Sequence, residues 1–196
     1  ARIGLTGSVE VKELFGIYST YYSENMALIK KVNDKSPQWG KECWLADNAT
    51  LTGDVVMGDH CTVWFNAVIR GDVHYIKIGD RTNIQDGAVI HCSYQKSPVN
   101  IGADVSIAHN AIVHGCTIKD RVMIGMGAIV MDDVVVNEGA VIAAGAVVLA
   151  GTIVEGNSIY AGIPAKRVKE TGDNMKEAIS RIASNYPKYA SWYKDE

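Results

Sequence analysis

No stretch of this 196-residue chain is apolar for the length a membrane span needs. Lys and Arg number 19 against 22 Asp and Glu, and the resulting charge of −3 leaves no positive footprint for nucleic acid. The four cysteines, Cys43, Cys61, Cys92 and Cys116, form no Cys-x-x-Cys and none of the spacings of a disulfide-built secreted domain. A helical apolar period of 3.6 is absent from residues 39–148. What these absences leave is one medium-sized soluble domain, expected in the cytoplasm, with no nucleic-acid or membrane partner.

What is there is a period of six. Aliphatic residues recur as Trp39, Leu45, Leu51, Met57, Val63 and Ile69, then Ile78, Ile84 and Ile90, then Ile101, Ile107 and Val113, then Ile118, Ile124, Val130, Val136, Ile142 and Val148. Four places later stands a small or β-branched residue, among them Cys43, Ala49, Val55, Cys61, Ala67, Ala88, Val105, Ala111, Val122 and Ala128. A fixed hexapeptide period marks a parallel β-helix, in which short flat strands alternate with turns and the large residues stack inside. The phase breaks three times: between Arg70 and Ile78, between His91 and Ile101, and at Gly115-Cys116. With three hexapeptides per coil, as is usual for this repeat class, the first two breaks are corner insertions and the third is a deletion of one residue.

Stacking converts sequence offset into distance, because neighbouring coils lie about 4.8 Å apart. Arg70, His91 and His114 each follow the aliphatic residue of the third face on consecutive coils, so they form one outward column. Asp86 and His109 each lie two places after the aliphatic of the second face and form another, at a corner. Histidines one strand spacing apart can bring their ring nitrogens to the roughly 3.2 Å that two ligands of a tetrahedral zinc require. His109 belongs to a different face and does not reach the same metal within one chain. A rotationally symmetric oligomer resolves the mismatch by setting the histidine column of one subunit against the corner of its neighbour.

The run from Arg70-Gly71-Asp72 through Asn83-Ile84-Gln85-Asp86, Val89-Ile90-His91, Ile107-Ala108-His109 and Val113-His114-Gly115-Cys116 to Ile124-Gly125-Met126-Gly127-Ala128 closely resembles the γ-class carbonic anhydrases. So does Gly162-Ile163-Pro164-Ala165-Lys166, and the resemblance spans roughly residues 27–196. It implies a left-handed β-helix, against the usual right-handed crossover rule. It also implies a homotrimer with metal sites at the subunit interfaces, His91, His109 and His114 being the ligands. Arg70 and Asp72 match a pair at the intersubunit contact, Gln85 matches a residue that bonds metal-held water, Asp86 lies beside it, and Tyr160 is a further pocket candidate. The metal expected is zinc, with iron or cobalt as alternatives. Zinc lowers the pKa of its bound water to about 7, and the hydroxide formed would convert carbon dioxide to bicarbonate.

The chain departs from the family pattern where a proton must leave the site. Val73 follows Asp72 where a glutamate can stand, and the loop from Cys92 to Asn100 contains no acid, which predicts slow turnover. His74 is the substitute carrier to weigh against a plain surface histidine. His60 has no partner on the lattice and reads as surface. Gln85 and Asp86 are to be weighed against a plain turn-capping role, and Arg70 with Asp72 against a purely structural interface pair. The cysteines read as packing, with Cys43 and Cys61 stacked as thiols on adjacent coils.

The ends differ in kind. Residues 169–196 lose the period and show Met175, Ile179, Ile182, Ala183 and Tyr186 at helical spacing, with Asp173 as the expected N-cap, so a helix should cover one face of a β-helix spanning 26–168. Residues 1–25 form an extension outside the family pattern. Two other functions fit a hexapeptide β-helix: a coenzyme A-dependent acyltransferase with one histidine as general base, and a non-catalytic trimeric scaffold.

Overall fold

The computed structural model describes residues 27–193, so the extension expected over residues 1–25 lies outside the described residues. The chain winds as a parallel β-solenoid of about seven turns with hexapeptide repeats and one C-terminal helix. Three hexapeptides close each coil, and the strand registers reproduce the aliphatic columns. Met57, Ile78, Ile101, Ile118, Val136 and Val154 stack on the first face. Val63, Ile84, Ile107, Ile124, Ile142 and Tyr160 stack on the second. Leu51, Ile69, Ile90, Val113, Val130 and Val148 stack on the third.

These columns are the core. Leu51, Ile69, Ile84, Ile90, Ile107 and Ile124 are wholly buried, as are the corner residues Ala49, Ala67, Ala88 and Ala111, whose small side chains let the chain turn inward. Corners are also where left-handed backbone recurs, at Asn66, Gly87, Asn110 and Gly127 along one edge. These residue types tolerate that conformation at little cost.

All three phase breaks fall at one corner, between the third face and the first. The strand Val68–Ile78 runs through the first of them without interruption. The second carries a small antiparallel bridge between Ser93 and Ser97. The third is turned by Gly115 at φ +50°. That corner borders the column of Arg70, His91 and His114, so every irregularity of the repeat is gathered beside the candidate site.

The solenoid ends differently at its two extremities. Trp39, on the first coil, pairs with Met57 on one side, has no strand on the other among the described residues, and is 41% exposed. At the other end Tyr160 takes the inward position, and the strand Ser158–Ala161 pairs antiparallel with Lys166–Glu170, an element that nothing in the period announces.

The helix Asp173–Ser191 packs on the second face, against the strands at Thr62–Val63 and Ser106–Ile107. Ile179 and Ala183 are buried under it as their spacing predicts. Its N-cap is Gly172 rather than Asp173, which instead lies in the first turn, where a carboxylate meets the positive end of the helix dipole. Near its C-terminus an aromatic cluster clamps it: Trp64 lies 5.2 Å from Tyr186, and Trp44 lies 5.5 Å from Tyr193, between ring centres. All four cysteines are free, Cys61, Cys92 and Cys116 buried and Cys43 partly so, in keeping with a packing role. No helix among the described residues is long and apolar enough to cross a membrane.

Candidate metal centre

Strand pairing sets Arg70 beside His91 and His91 beside His114 on consecutive coils of the third face. The two imidazoles face each other, His91 Nδ1 standing 3.1 Å from His114 Nε2. Each ring's other nitrogen meets a carboxylate: His91 Nε2 lies 3.1 Å from Asp72 Oδ1, and His114 Nδ1 lies 2.5 Å from Asp132 Oδ1. Asp72 in turn accepts from Arg70 Nη1 at 2.6 Å, and Asp132 accepts from Ser93 Oγ at 2.5 Å. The result is a line of polar groups along the solenoid, from Arg70 through both histidines to Ser93.

Proton positions follow from the chemistry of the ends. Burial works to raise both carboxyls, but Arg70 and His91 on Asp72, and Ser93 and His114 on Asp132, outweigh it and hold both below the ordinary 3.8. An ionised carboxylate only accepts, so His91 Nε2 and His114 Nδ1 are the nitrogens that carry protons. Burial, against the pull of Asp72, lowers the pKa of His91 below 6.5, which favours the neutral ring. With each outer nitrogen turned to a carboxylate, His91 Nδ1 and His114 Nε2 are left facing each other at 3.1 Å. A shared cation satisfies that arrangement, and the donor set fits a metal that accepts imidazole.

His109 stands at the second corner, on another edge of the triangle. Its Nδ1 lies 2.8 Å from Asp86 Oδ2, so its outer nitrogen too is turned to a carboxylate and Nε2 is left for a ligand. Among the described residues no three His, Cys, Asp or Glu side chains converge on one point. The chain therefore brings together two of the three expected ligands with Arg70 and Asp72, and Asp86 with the third, in two separate groups.

Gln85 is 3% exposed, and its Nε2 donates to Asn83 Oδ1 at 3.0 Å, while Asn83 Nδ2 donates to Ser106 Oγ at 2.8 Å. This polar row lies on the face that the C-terminal helix covers. Burial, and then the negative charge of Asp86, push the Tyr186 hydroxyl of that helix up to about 12, which puts Tyr186 in the electrostatic neighbourhood of the His109 corner. Tyr160 belongs to the core instead, three coils from His109, with its hydroxyl accepting from Glu155 N at 3.4 Å. His74 Nδ1 accepts from Tyr75 N at 2.9 Å. His60 is an exposed corner residue.

Asp132 and Ser93 are the site groups that reading along the chain passes over. The lattice does contain a signal for Asp132, which lies one coil beyond His114 at the same corner, but the deletion at Gly115 disguises the offset. Two hollows of the surface lie elsewhere, one along the first corner by Lys119, Glu138 and Asn157, the other between that corner and the helix by Arg121 and Ile179.

Fold and repeat together define a hexapeptide-repeat β-solenoid protein: the family described as bacterial transferase hexapeptide (six repeats) matches residues 115–150. The solved structure of a putative acetyltransferase from Bacillus cereus superposes with a TM-score of 0.83 at 37% identity, covering 87% of this chain and 98% of that one. The carbonic anhydrase of Geobacillus kaustophilus is 44% identical over 168 residues, 85% of this chain and 91% of that protein. Mitochondrial γ carbonic anhydrase 2 of Arabidopsis thaliana is 35% identical over 202 residues, 100% of this chain and 70% of that protein. The chain belongs to the γ-class carbonic anhydrase-like family.

Proposed function

We propose that this protein hydrates carbon dioxide to bicarbonate at metal sites shared between copies of the chain in a homotrimer, His91 and His114 coming from one copy and His109 from its neighbour. The observation that carries this reading is the pair of facing ring nitrogens, His91 Nδ1 and His114 Nε2, 3.1 Å apart on rings whose outer nitrogens are held by carboxylates. Bound zinc, or iron or cobalt in its place, would supply a Lewis acid that makes water nucleophilic near neutral pH.

The chain's own residues do the rest. Asp72, Asp132 and Asp86 orient the three rings and raise their basicity. Arg70 neutralises Asp72 and presents the rest of its guanidinium at the site's edge. Gln85 and Asp86 line the corner that supplies His109, and Phe65 and Met126 occupy the same outward column on the coils before and after, walls suited to an apolar gas.

An apolar stripe supports the sharing. Val68, Val89, Ile112, Ile129 and Val147 line the outer side of the third face, with Met131 and Leu149 beside it, Ile112, Met131 and Leu149 being 38%, 40% and 49% exposed. A stripe of this kind beside an incomplete ligand set is what a neighbouring copy would cover.

Turnover should be slow. In the Cys92–Asn100 loop the hydroxyls nearest the site are occupied: Ser93 donates to Asp132 and Ser97 Oγ donates to Asp133 Oδ1 at 2.7 Å. The test is metal analysis of purified protein joined to a hydration assay. About one metal per chain with activity raised by imidazole buffer supports the reading and assigns the defect to proton transfer. Metal-free protein that acetylates an acceptor from acetyl-coenzyme A would replace it with the transferase reading, which the name of the Bacillus cereus structure keeps in view.

A further inference from the structure

We propose that Asp132, steadied by Ser93, is a positioning residue that fixes which nitrogen of His114 faces the metal; this rests on the reading of His114 as a ligand. His114 is otherwise free to turn about χ2 and present either nitrogen, because its side chain is 35% exposed. Only one orientation lets Nδ1–H donate to Asp132 while Nε2 faces His91. The carboxylate itself is clamped: Ser93 Oγ holds Oδ2 while His114 holds Oδ1, so both oxygens are engaged and the plane of the group is set.

The backbone between them is shaped for this contact. Gly115 follows His114 with a left-handed φ of +50°, and a Cβ there would fall on the Asp132 carboxylate. The Asp133 N–H donates to the Gly115 carbonyl at 2.8 Å, tying the turn that carries Asp132 to the turn that leaves His114. Ser93, from the other side, belongs to the insertion after His91, closed on itself by the Ser93–Ser97 bridge and held to the first insertion by Gln95 N donating to Val73 O at 3.3 Å. The insertion therefore reaches His114 through Asp132, contributing orientation where its composition offers no acid.

The experiment compares the full-length wild-type protein with Asp132→Ala, Ser93→Ala, Ser93→Thr and His114→Ala. Zn²⁺ affinity is read by chelator competition, and the His114 tautomer by ¹⁵N–¹H long-range correlation of the metal-free protein. Asp132→Ala should weaken Zn²⁺ about 10- to 100-fold, the usual cost of losing an outer partner of a ligand, and Ser93→Ala should weaken it less. In both, the proton of His114 should redistribute from Nδ1 toward Nε2, a change that mere loss of stability does not produce, and Ser93→Thr should restore both properties. Wild-type affinity and tautomer in Asp132→Ala and Ser93→Ala, with Zn²⁺ lost in His114→Ala, would overturn the positioning role while leaving His114 a ligand. Undiminished Zn²⁺ binding in His114→Ala would bring down the ligand reading itself. Should Asp132→Ala fail to fold, Ser93→Ala decides alone, since its hydroxyl can be removed without disturbing the aliphatic columns.

Discussion

His91 and His114 are register partners on the third face, and burial of the first keeps its pKa below 6.5 even though Asp72 pulls it upward. A base whose folded pKa is depressed binds fewer protons folded than unfolded, so stability rises with pH across the gap. Metal-free protein should therefore be at full strength above pH 6.5 and lose stability as pH falls below it. A second loss should follow below 3.8, where the unfolded chain protonates carboxyls that Asp72 and Asp132 still hold ionised. Urea unfolding of chelator-treated protein at pH 8 and pH 5.5 checks the first step. The wild type should lose more between these values than His91→Asn, and equal losses would show that His91 carries none of the effect.

Gly115 and Gly127 make a controlled pair, both left-handed, at φ +50° and +64°. Alanine at 127 meets nothing within 4 Å, so Gly127→Ala should cost only the backbone term of about 1–2 kcal/mol. Alanine at 115 also drives into Asp132 and lies 2.8 Å from Ser97 Cβ, so Gly115→Ala should cost about 1–3 kcal/mol more, in the range of overpacking. Chemical unfolding ranks the two, and only Gly115→Ala should also weaken Zn²⁺. Equal stability and equal Zn²⁺ affinity in the two variants would remove the steric argument.

Trp64 is 7% exposed and packs on Tyr186 while its Nε1 donates to Thr62 Oγ1 at 3.0 Å. Trp64→Ala should cost about 3–5 kcal/mol, the range for emptying an aromatic core site, with the helix loosened from the second face. A second reporter sits in the helix. Tyr186 holds its proton up to about 12, so the stability it contributes is present below pH 10 and lost as pH rises through the folded value. Absorbance titration should show one tyrosine ionising late, and Tyr186→Phe should abolish that step; its persistence would assign it to another residue.

Much of this was legible in the chain because a solenoid maps sequence onto space with a fixed rule. Ile69, Ile90 and Val113 declare a column, so Arg70, His91 and His114 next to them declare another. The rule stops working where the repeat stops. Lys166–Glu170 pairs antiparallel on the last coil, and no hexapeptide phase reaches it. The contact between His114 and Asp132 crosses the one-residue deletion at Gly115, so the count that places Arg70, His91 and His114 in one column misses it. The N-cap at Gly172 in place of Asp173 differs by a single residue, the scale on which helix starts are poorly marked by composition. The hand of the coil came only from family resemblance, since a period of six is the same in either sense.

Sharing of the site between subunits admits a test by mixing defective chains. A His91→Ala chain keeps His109 but cannot offer the pair, and a His109→Ala chain keeps the pair but cannot complete its neighbour's. Neither homotrimer should bind metal at a full site. In a closed ring each site joins the pair of one chain to the corner of the next, so it is intact only when a His109→Ala chain precedes a His91→Ala chain. Random mixing should restore about one site in four, and each mixed ring, whatever its composition, should hold one. Co-expression with two different affinity tags isolates the mixed rings, and Zn²⁺ per chain is then measured alongside hydration. Regained metal with regained activity supports ligation across the interface. Mixed rings proven by both tags yet devoid of metal would show that the three imidazoles never meet, and the apolar stripe around Ile112 would then be an interface without chemistry.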